Sequence, residues 1–233
     1  MTSVAIIIPF RDRGGDNLRC ANLVRVFEHW RSYNAELHIV SDDRTGTESF
    51  NRSAAYNAGA RLTDADVIVY AEADLIVDYW NITRAVELAQ SAPGLVVPFS
   101  RFMAINQLDS SHVRRHTLTP PRALATQVRG ERKSIGAINV LSRQTLDQIG
   151  QWDETFEGAW YDDDAMARAF EVCCGPTRFI DGPGWHLYHL PGARGQHLTD
   201  ADRAATARNK ARYELYRQAT TPERIRELTA GRP

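Results

Sequence analysis

Short apolar strands alternate with amphipathic helices in the first third of the chain, and this alternation constrains the fold more than any other feature. Apolar runs rich in β-branched residues occupy residues 4–8 and 67–71, and residues 36–40 are predicted as a further strand. Apolar residues recur at helical spacing over 17–32, and a second helix is predicted over 48–61. Strands that alternate with helices in this way predict an α/β fold built on a parallel sheet. Because such sheets bind ligands at the carboxyl ends of their strands, we expect functional residues in the loops that follow.

The pattern continues less regularly beyond the third strand. The segment 101–133 carries seven basic and two acidic residues with little periodicity, and we interpret it as a loop-rich insertion, either a solvated connection or a mobile lid. The other expected elements are a helix over residues 82–90, a strand over 95–98, a strand over 135–141 and a helix over 164–174.

Composition narrows the class of protein. The chain has 233 residues, 43% of them hydrophobic, and its 28 basic and 29 acidic side chains give a net charge of -1. These values are typical of one compact domain and exclude disordered and collagen-like chains. They also give no overall attraction to nucleic acid, so no nucleic-acid partner is expected. No apolar run approaches the roughly 18 residues that span a bilayer, and the three cysteines fit reduced thiols, so a cytoplasmic location is expected.

Two acidic residues follow the third strand. Glu72 and Asp74 are two residues apart, so their carboxylates point to the same side of an extended segment. Hard oxygen ligands of this kind suit Mg2+ or Mn2+. The alternative is an ordinary solvated strand end.

A pair of histidines forms a second candidate metal site. His186 and His189 are three residues apart, and they converge on one ion only if the segment turns, because a straight strand sends them to opposite faces. Zinc and Mn2+ both remain candidates for such a pair, and a purely structural role is the alternative.

Three consecutive acids, Asp162, Asp163 and Asp164, precede the helix predicted near residue 164. One of them can cap the free N–H groups of that helix, whereas a second is available as a general base or for binding substrate hydroxyls. The preceding Trp160 and Tyr161 offer aromatic faces for stacking on a sugar. An acidic helix start with no further role is the alternative.

Arginines at the strand ends are the best candidates for contacts to a diphosphate. Arg11 and Arg13 follow the first strand, and Arg52 lies at the start of the helix that follows the second strand. The chain has no glycine-rich phosphate loop and no nucleophile elbow. ATP-binding, NAD-binding and serine-hydrolase interpretations therefore lack their main support.

Five blocks of the sequence together resemble one enzyme family. The blocks are Ile8-Pro9-Phe10-Arg11-Asp12-Arg13, Phe50-Asn51-Arg52, Tyr70-Ala71-Glu72-Ala73-Asp74, Gly136-Ala137-Ile138-Asn139 with Trp160-Tyr161-Asp162-Asp163-Asp164, and His186-Leu187-Tyr188-His189. In order and spacing they resemble the β-1,4-galactosyltransferase group of metal-dependent GT-A glycosyltransferases. A more distant resemblance is to the polypeptide N-acetylgalactosaminyltransferases, which retain the anomeric configuration.

The resemblance implies roles for the strand-end residues. Asp74 and His189 correspond to metal ligands, and His186 replaces the Met of the family's metal pair, so Mn2+ is the implied ion and Mg2+ the second candidate. Glu72 stands where the family usually has Asp. The nucleotide-binding residues that it implies are Pro9, Phe10, Arg11, Arg13, Asp42, Phe50, Arg52 and Glu72.

The resemblance also implies the residues that handle sugars. Asp162 corresponds to the catalytic base, with Asp163 as the second candidate, and Tyr161 replaces a Glu that handles donor and acceptor. Ser134 stands where a larger Tyr selects galactosyl donors, so a 2-acetamido sugar is expected to fit. The donor and acceptor contacts that it implies are Ser134, Gly136, Ala137, Trp160 and Tyr161.

The expected architecture is a single α/β domain of the GT-A type, with a Rossmann-like, mostly parallel central sheet flanked by helices. We expect this domain over residues 1–199, with a nucleotide-binding half at 1–100 and an acceptor half at 101–199, followed by a helical extension over 200–233. The implied activity is Mn2+-dependent, inverting transfer of a hexose or N-acetylhexosamine from a UDP-sugar to an acceptor hydroxyl. A retaining transferase, a UDP-sugar hydrolase and a silent nucleotide-sugar-binding module are the alternatives.

Overall fold

The computed structural model describes residues 2–12, 17–46, 48–128, 135–158, 160–190 and 200–232. Two of the predicted site residues, Arg13 and Ser134, lie outside these ranges.

Within the described ranges the chain forms ten strands and eight α-helices. The strands are β1 (Val4–Pro9), β2 (Glu36–Val40), β3 (Val67–Ala71), β4 (Leu75–Val77), β5 (Val96–Val97), β6 (Arg101–Ile105), β7 (Ala125–Val128), β8 (Ile138–Ser142), β9 (Arg178–Phe179) and β10 (Pro183–His186). The helices are α1 (Asn17–Trp30), α2 (Arg52–Ala60), α3 (Tyr79–Ser91), α4 (Gln107–Arg114), α5 (Arg143–Ile149), α6 (Asp162–Cys174), α7 (Asp200–Gln218) and α8 (Pro222–Thr229).

The larger sheet has six strands in the order β2-β1-β3-β8-β5-β9. Every residue of β1 and β3 is buried, which is why both read as continuous apolar runs. The first three strands are parallel, as the alternation predicts, but β8 runs antiparallel to both β3 and β5. With β5 parallel to β9, the sheet is mixed, and three of its five pairings are parallel.

The smaller sheet has four strands in the order β4-β10-β6-β7, and it corrects the prediction of a loop-rich insertion over 101–133. The described part of that segment, 101–128, instead contains β6, α4, a short 3-10 turn and β7. Asn106 caps α4 by accepting a hydrogen bond from the Asp109 N–H at 2.8 Å, and Ile105 and Val113 are buried in the core. The apolar residues of this segment are too widely spaced to show a clear period.

Two helices begin at other residues than the sequence pattern suggests. The predicted start of α2 near residue 48 is wrong because Asn51 is its cap, with its side chain accepting from the Ala54 N–H at 2.9 Å. Helix α6 begins at Asp162 and not at 164, so all three consecutive acids lie in its first turn. Their negative charge lies at the positive end of the helix dipole.

The last two helices belong to the same core as the sheets. Tyr216 of α7 and Ile225 and Leu228 of α8 are fully buried in the cluster that contains the strands. Asp153 is buried beneath α7, where it accepts hydrogen bonds from Arg212 Nε at 2.8 Å and the Tyr216 hydroxyl at 2.9 Å. None of the helices in the described ranges combines the length and apolar character needed to cross a membrane.

A half-buried histidine makes folding stability depend on pH. The His29 ring in α1 stacks on Tyr79 with ring centroids 4.5 Å apart, and its Nε2 has no hydrogen-bond partner among the described residues. Burial, reinforced by the charge of Arg25, lowers the pKa of His29 to about 4. Between this value and the usual value near 6.5, the unfolded chain takes up a proton that the folded chain does not.

The free energy of unfolding should therefore fall as the pH decreases from 7 towards 4. His29 alone should account for roughly 2 kcal/mol of this loss by pH 5. His29→Phe keeps an aromatic ring and removes the titration, so denaturant unfolding at pH 7 and pH 5 should show a smaller loss for the variant. Equal losses in the two proteins would contradict the assignment.

Candidate active site

Asp74, His186 and His189 converge at the junction of the two sheets. Their side chains each offer one ligand atom, and these atoms all lie within 4.8 Å of one another. Asp74 Oδ2 is 3.1 Å from His189 Nε2, and Asp74 Oδ1 is 3.6 Å from His186 Nε2. A carboxylate oxygen and two imidazole nitrogens at this separation form a donor set that suits a divalent transition metal.

The two histidines converge because the chain turns after β10. Strand β10 pairs antiparallel with β4, which places His186 opposite Leu75. The Leu187 N–H then donates to the Asp74 carbonyl at 2.8 Å, which ties the end of β10 to the acidic segment. The His189 ring comes to lie 5.0 Å from the His186 ring, so the turn that a shared ion requires is present.

The charges of the three side chains are strongly coupled. Burial alone would raise the pKa of Asp74, but the neighbouring His186 and His189 outweigh it and lower the pKa to about 2. Burial opposes protonation of His189, yet its hydrogen bond to Asp74 leaves the pKa of His189 raised. Asp74 Oδ1 is buried and accepts no hydrogen bond from the described residues. An ionised carboxylate oxygen left in this state fits a site for a cation.

A second charged cluster surrounds Arg52, the first residue of α2. Its guanidinium forms ion pairs with Glu72, Asp162 and Asp163, the last of them at 2.6 Å. Burial by itself would lower the pKa of Arg52, but the three carboxylates outweigh it and raise the pKa. The cluster joins the end of β3 to the start of α6, so Arg52 fixes the orientation of both candidate bases.

The Arg52 cluster also determines what the acidic start of α6 contacts. Tyr161 is the N-terminal cap residue of α6 in a left-handed conformation, and no side chain caps the helix there. Asp162 and Asp163 form ion pairs with Arg52, and the capping of α6 by one of the three acids stays a prediction. Arg52 contacts three carboxylates in the described structure, and its contact with a diphosphate stays a prediction.

The loops after β1 and β2 form a third group. Arg11 Nε donates to Asp42 Oδ1 at 2.7 Å, and Asp42 Oδ2 accepts from the Asn51 N–H at 2.8 Å. The Phe50 ring lies beside the Arg11 guanidinium, 5.9 Å from Cζ to the ring centroid. Pro9 ends β1, and the Phe10 N–H donates to the Val40 carbonyl at 2.9 Å. The predicted nucleotide residues of the described chain that flank these two strands therefore lie together.

Gly136 and Ala137 lie against two members of the Arg52 cluster, Asp163 and Glu72. The Glu72 N–H donates to the Ala137 carbonyl at 2.8 Å, and Ala137 has a φ of 107°, a strained value for a residue with a side chain. A Cβ at Gly136 would collide with Asp163 Oδ2. Glycine at 136 is thus what allows Asp163 to reach Arg52.

Trp160 and Tyr161 are both held in left-handed conformations, with φ values of 78° and 70°. Such values cost free energy in non-glycine residues and are found where surrounding contacts impose them. Here α7 supplies the contacts: the Tyr213 ring packs on Tyr161, and Asn209 Nδ2 donates to the carbonyls of Trp160 and Glu157. Trp160 remains 44% exposed beside the acidic start of α6.

The sequence analysis missed Asn209. Its signal is a polar residue on a buried helical stripe, four residues after Ala205 and seven before Tyr216, all three of which are buried. A buried amide on such a stripe needs specific partners, which are here the backbone of the loop before Asp162.

Comparisons with known proteins identify the fold. No protein-family model matches the sequence, and no curated protein matches it. The catalytic domain of Drosophila β1,4-galactosyltransferase 7 with xylobiose is similar to it, with a TM-score of 0.51 and 15% identity over 89% of this chain and 80% of that one. A mutant of the same enzyme with manganese, UDP-Gal and xylobiose has a TM-score of 0.52 and 13% identity over 88% of this chain and 79% of that one. GalNAc-T7 with UDP, GalNAc and Mn2+ has a TM-score of 0.54 and 12% identity over 93% of this chain and 49% of that one.

These similarities, at low sequence identity, establish the architecture of the chain. The mixed sheet flanked by helices is the GT-A glycosyltransferase fold, as the sequence analysis predicts.

The loop before Asp162 should depend on Asn209. Asn209→Ala leaves the Glu157 N–H and the carbonyls of Glu157 and Trp160 without their amide partner, so the free energy of unfolding should fall by about 1–3 kcal/mol. Hydrogen exchange at the Glu157 amide should accelerate in the variant. Lys210→Ala, at the exposed neighbouring position, is the matched control. Equal exchange rates in both variants would show that α7 does not hold the loop.

Proposed function

We propose that this protein is a metal-dependent glycosyltransferase that moves a hexose or N-acetylhexosamine from a UDP-sugar to an acceptor hydroxyl. The observation that carries the proposal is the Asp74–His186–His189 cluster, which lies at the end of β3 of a GT-A sheet and includes a buried carboxylate oxygen that accepts no hydrogen bond from the described residues. The similar structures that contain Mn2+ together with UDP or UDP-Gal support the choice of ligand.

The donor set fits Mn2+, with Mg2+ as the second candidate. One hard oxygen and two imidazole nitrogens favour a first-row transition ion over Mg2+, which prefers oxygen ligands. When bound, such an ion supplies positive charge that offsets the negative charge developing on the leaving UDP.

The nucleotide is assigned to the loops after β1 and β2. Asp42 fixes the Arg11 guanidinium, and the carbonyls of Gly46 and Glu48 accept two further hydrogen bonds from it. Arg11 is therefore preorganised and loses little side-chain entropy when a ligand arrives. The adjacent Phe50 ring offers an apolar face on which a uracil can stack.

Asp162 is the proposed general base. It takes the proton of the acceptor hydroxyl while that oxygen attacks the anomeric carbon, and the bond between this carbon and the UDP oxygen breaks with its electron pair leaving on UDP. Arg52 holds the Asp162 carboxylate in a fixed orientation. A single displacement of this kind inverts the anomeric centre, so the product anomer, measured by NMR, tests it. A product that retains the donor configuration contradicts the single displacement.

The exposed Trp160 and the adjacent Tyr161 are assigned to the sugars. Trp160 presents part of its indole to solvent directly before the proposed base, where an acceptor ring can stack on it. Gly136 and Ala137 lie between Glu72 and Asp163 and are assigned to the donor sugar.

UDP-sugar turnover should require the Asp74 cluster. With a panel of UDP-sugars and an acceptor mixture, UDP release should depend on added Mn2+ and fall by at least about a hundredfold in Asp74→Ala. Asp78→Ala is the control, since Asp78 caps α3 on the same stretch of chain. Undiminished release by Asp74→Ala would exclude the proposed metal site. UDP release that no acceptor stimulates would identify a hydrolase.

Asp162→Asn should separate binding from transfer. The amide keeps the size of the side chain but cannot accept the hydroxyl proton, so kcat should fall by about 100-fold or more, while UDP and Mn2+ bind nearly as before. Calorimetry and a UDP-release assay give the two readouts. Asp164→Asn, on the same helical turn, is the matched control. Near-normal turnover by Asp162→Asn would move the base role to Asp163.

A further inference from the structure

The segment that carries His189 is held by side chains from two distant helices. Regular pairing ends at His186, the last residue of β10, so the next backbone groups need other partners. The Tyr188 N–H donates to Ser110 Oγ at 2.9 Å. The Tyr188 carbonyl accepts from Asn22 Nδ2 and from Arg114 Nη1, both at 3.3 Å. Both backbone groups of Tyr188 are thus bound by side chains.

These side chains form one buried network. Asn22 of α1 and Ser110 of α4 are fully buried. Arg114 also donates to Asn22 Oδ1 at 2.8 Å, so it orients the amide that binds the Tyr188 carbonyl. Fully buried polar side chains cost free energy unless they are satisfied, and here their partner is the backbone beside a candidate metal ligand. The network leaves that backbone little freedom to move.

The backbone in turn orients the His189 ring. His189 Nδ1 lies 2.8 Å from the Leu190 carbonyl, so a proton on Nδ1 is donated to that oxygen. Nε2 points to Asp74 Oδ2, 3.1 Å away, and donates a hydrogen bond to it. An ion bound there would take the Nε2 lone pair in place of that proton. A carbonyl that fixes the tautomer and the direction of a ligating imidazole strengthens metal binding.

We propose that Asn22, Ser110 and Arg114 are positioning residues, which act through the backbone of residues 187–190 to hold His189 in the geometry that binds the metal. The proposal rests on the proposed function for the presence of the ion. Through Ser110 and Arg114, helix α4 anchors the turn after β10 to the rest of the fold. The three side chains bind the backbone of Tyr188, so their effect on the Asp74 cluster passes through the turn.

The test is Mn2+ binding to the full chain without nucleotide, measured by electron paramagnetic resonance. Ser110→Ala and Arg114→Met should each weaken Mn2+ binding by about tenfold. Ser111→Ala and Arg115→Met are the matched controls, because Ser111 donates to the Leu108 carbonyl within α4 and Arg115 donates to Ser111. Arg114→Lys, which restores a cationic donor, should recover much of the affinity.

The outcomes separate a positioning role from a purely structural one. Loss of thermal stability in Ser110→Ala and Arg114→Met with unchanged Mn2+ affinity would overturn the proposal, as would equal losses of affinity in the controls. A wild-type protein that binds no Mn2+ would overturn it too. A wild-type protein that binds Mn2+ but turns over no UDP-sugar would overturn the proposed function alone and leave the positioning role standing.

Discussion

The Asp74 carboxylate is buried where the two sheets meet, and its charge has to be compensated without water. Two imidazoles do this in the described structure, one from the end of β10 and one from the turn beyond it. Their approach requires the antiparallel pairing of β4 with β10 and the bond from the Leu187 N–H to the Asp74 carbonyl. The smaller sheet and the turn after β10 therefore bring the two histidines to the end of β3.

The Arg52 cluster balances its charges in the opposite way, and it includes Glu72, two residues before Asp74. At Arg52 one cation is surrounded by three carboxylates, whereas at Asp74 one carboxylate is surrounded by two imidazoles. The link is the segment from Glu72 to Asp74, which contributes one acid to each cluster. The proposed sites of the ion, at Asp74, and of the acceptor hydroxyl, at Asp162, are therefore linked by one short stretch of backbone. This arrangement suits a reaction that needs a cation at the leaving group and a base at the nucleophile.

The strands and the charged strand ends could be predicted because their signals are local. The apolar runs of β1 and β3 reflect burial on both faces, and an acidic motif at a strand end follows from the topology of parallel sheets. The Asp-His-His set came from a resemblance between short motifs, and the structure brings its three members together.

The parts that could not be predicted depend on partners far away in sequence. The segment 101–128 has no clear period because Ser110 and Arg114 are placed for contacts with a turn more than 70 residues later. The ion pairs of Arg52 could not be predicted either, since its sequence neighbours do not reveal the acids of α6 that bind it. The left-handed conformation of Tyr161 is likewise imposed from outside, by Tyr213 and Asn209 of α7.

The proposed function requires that the protein bind two ligands together. One is an ion held by Asp74, His186 and His189, and the other is a nucleotide diphosphate. Crystals grown with Mn2+ and UDP, with diffraction recorded at the manganese absorption edge, test this most directly. We expect one anomalous peak in contact with these three side chains and with the diphosphate. A nucleotide bound with no peak there, or a peak held by other residues, would contradict it.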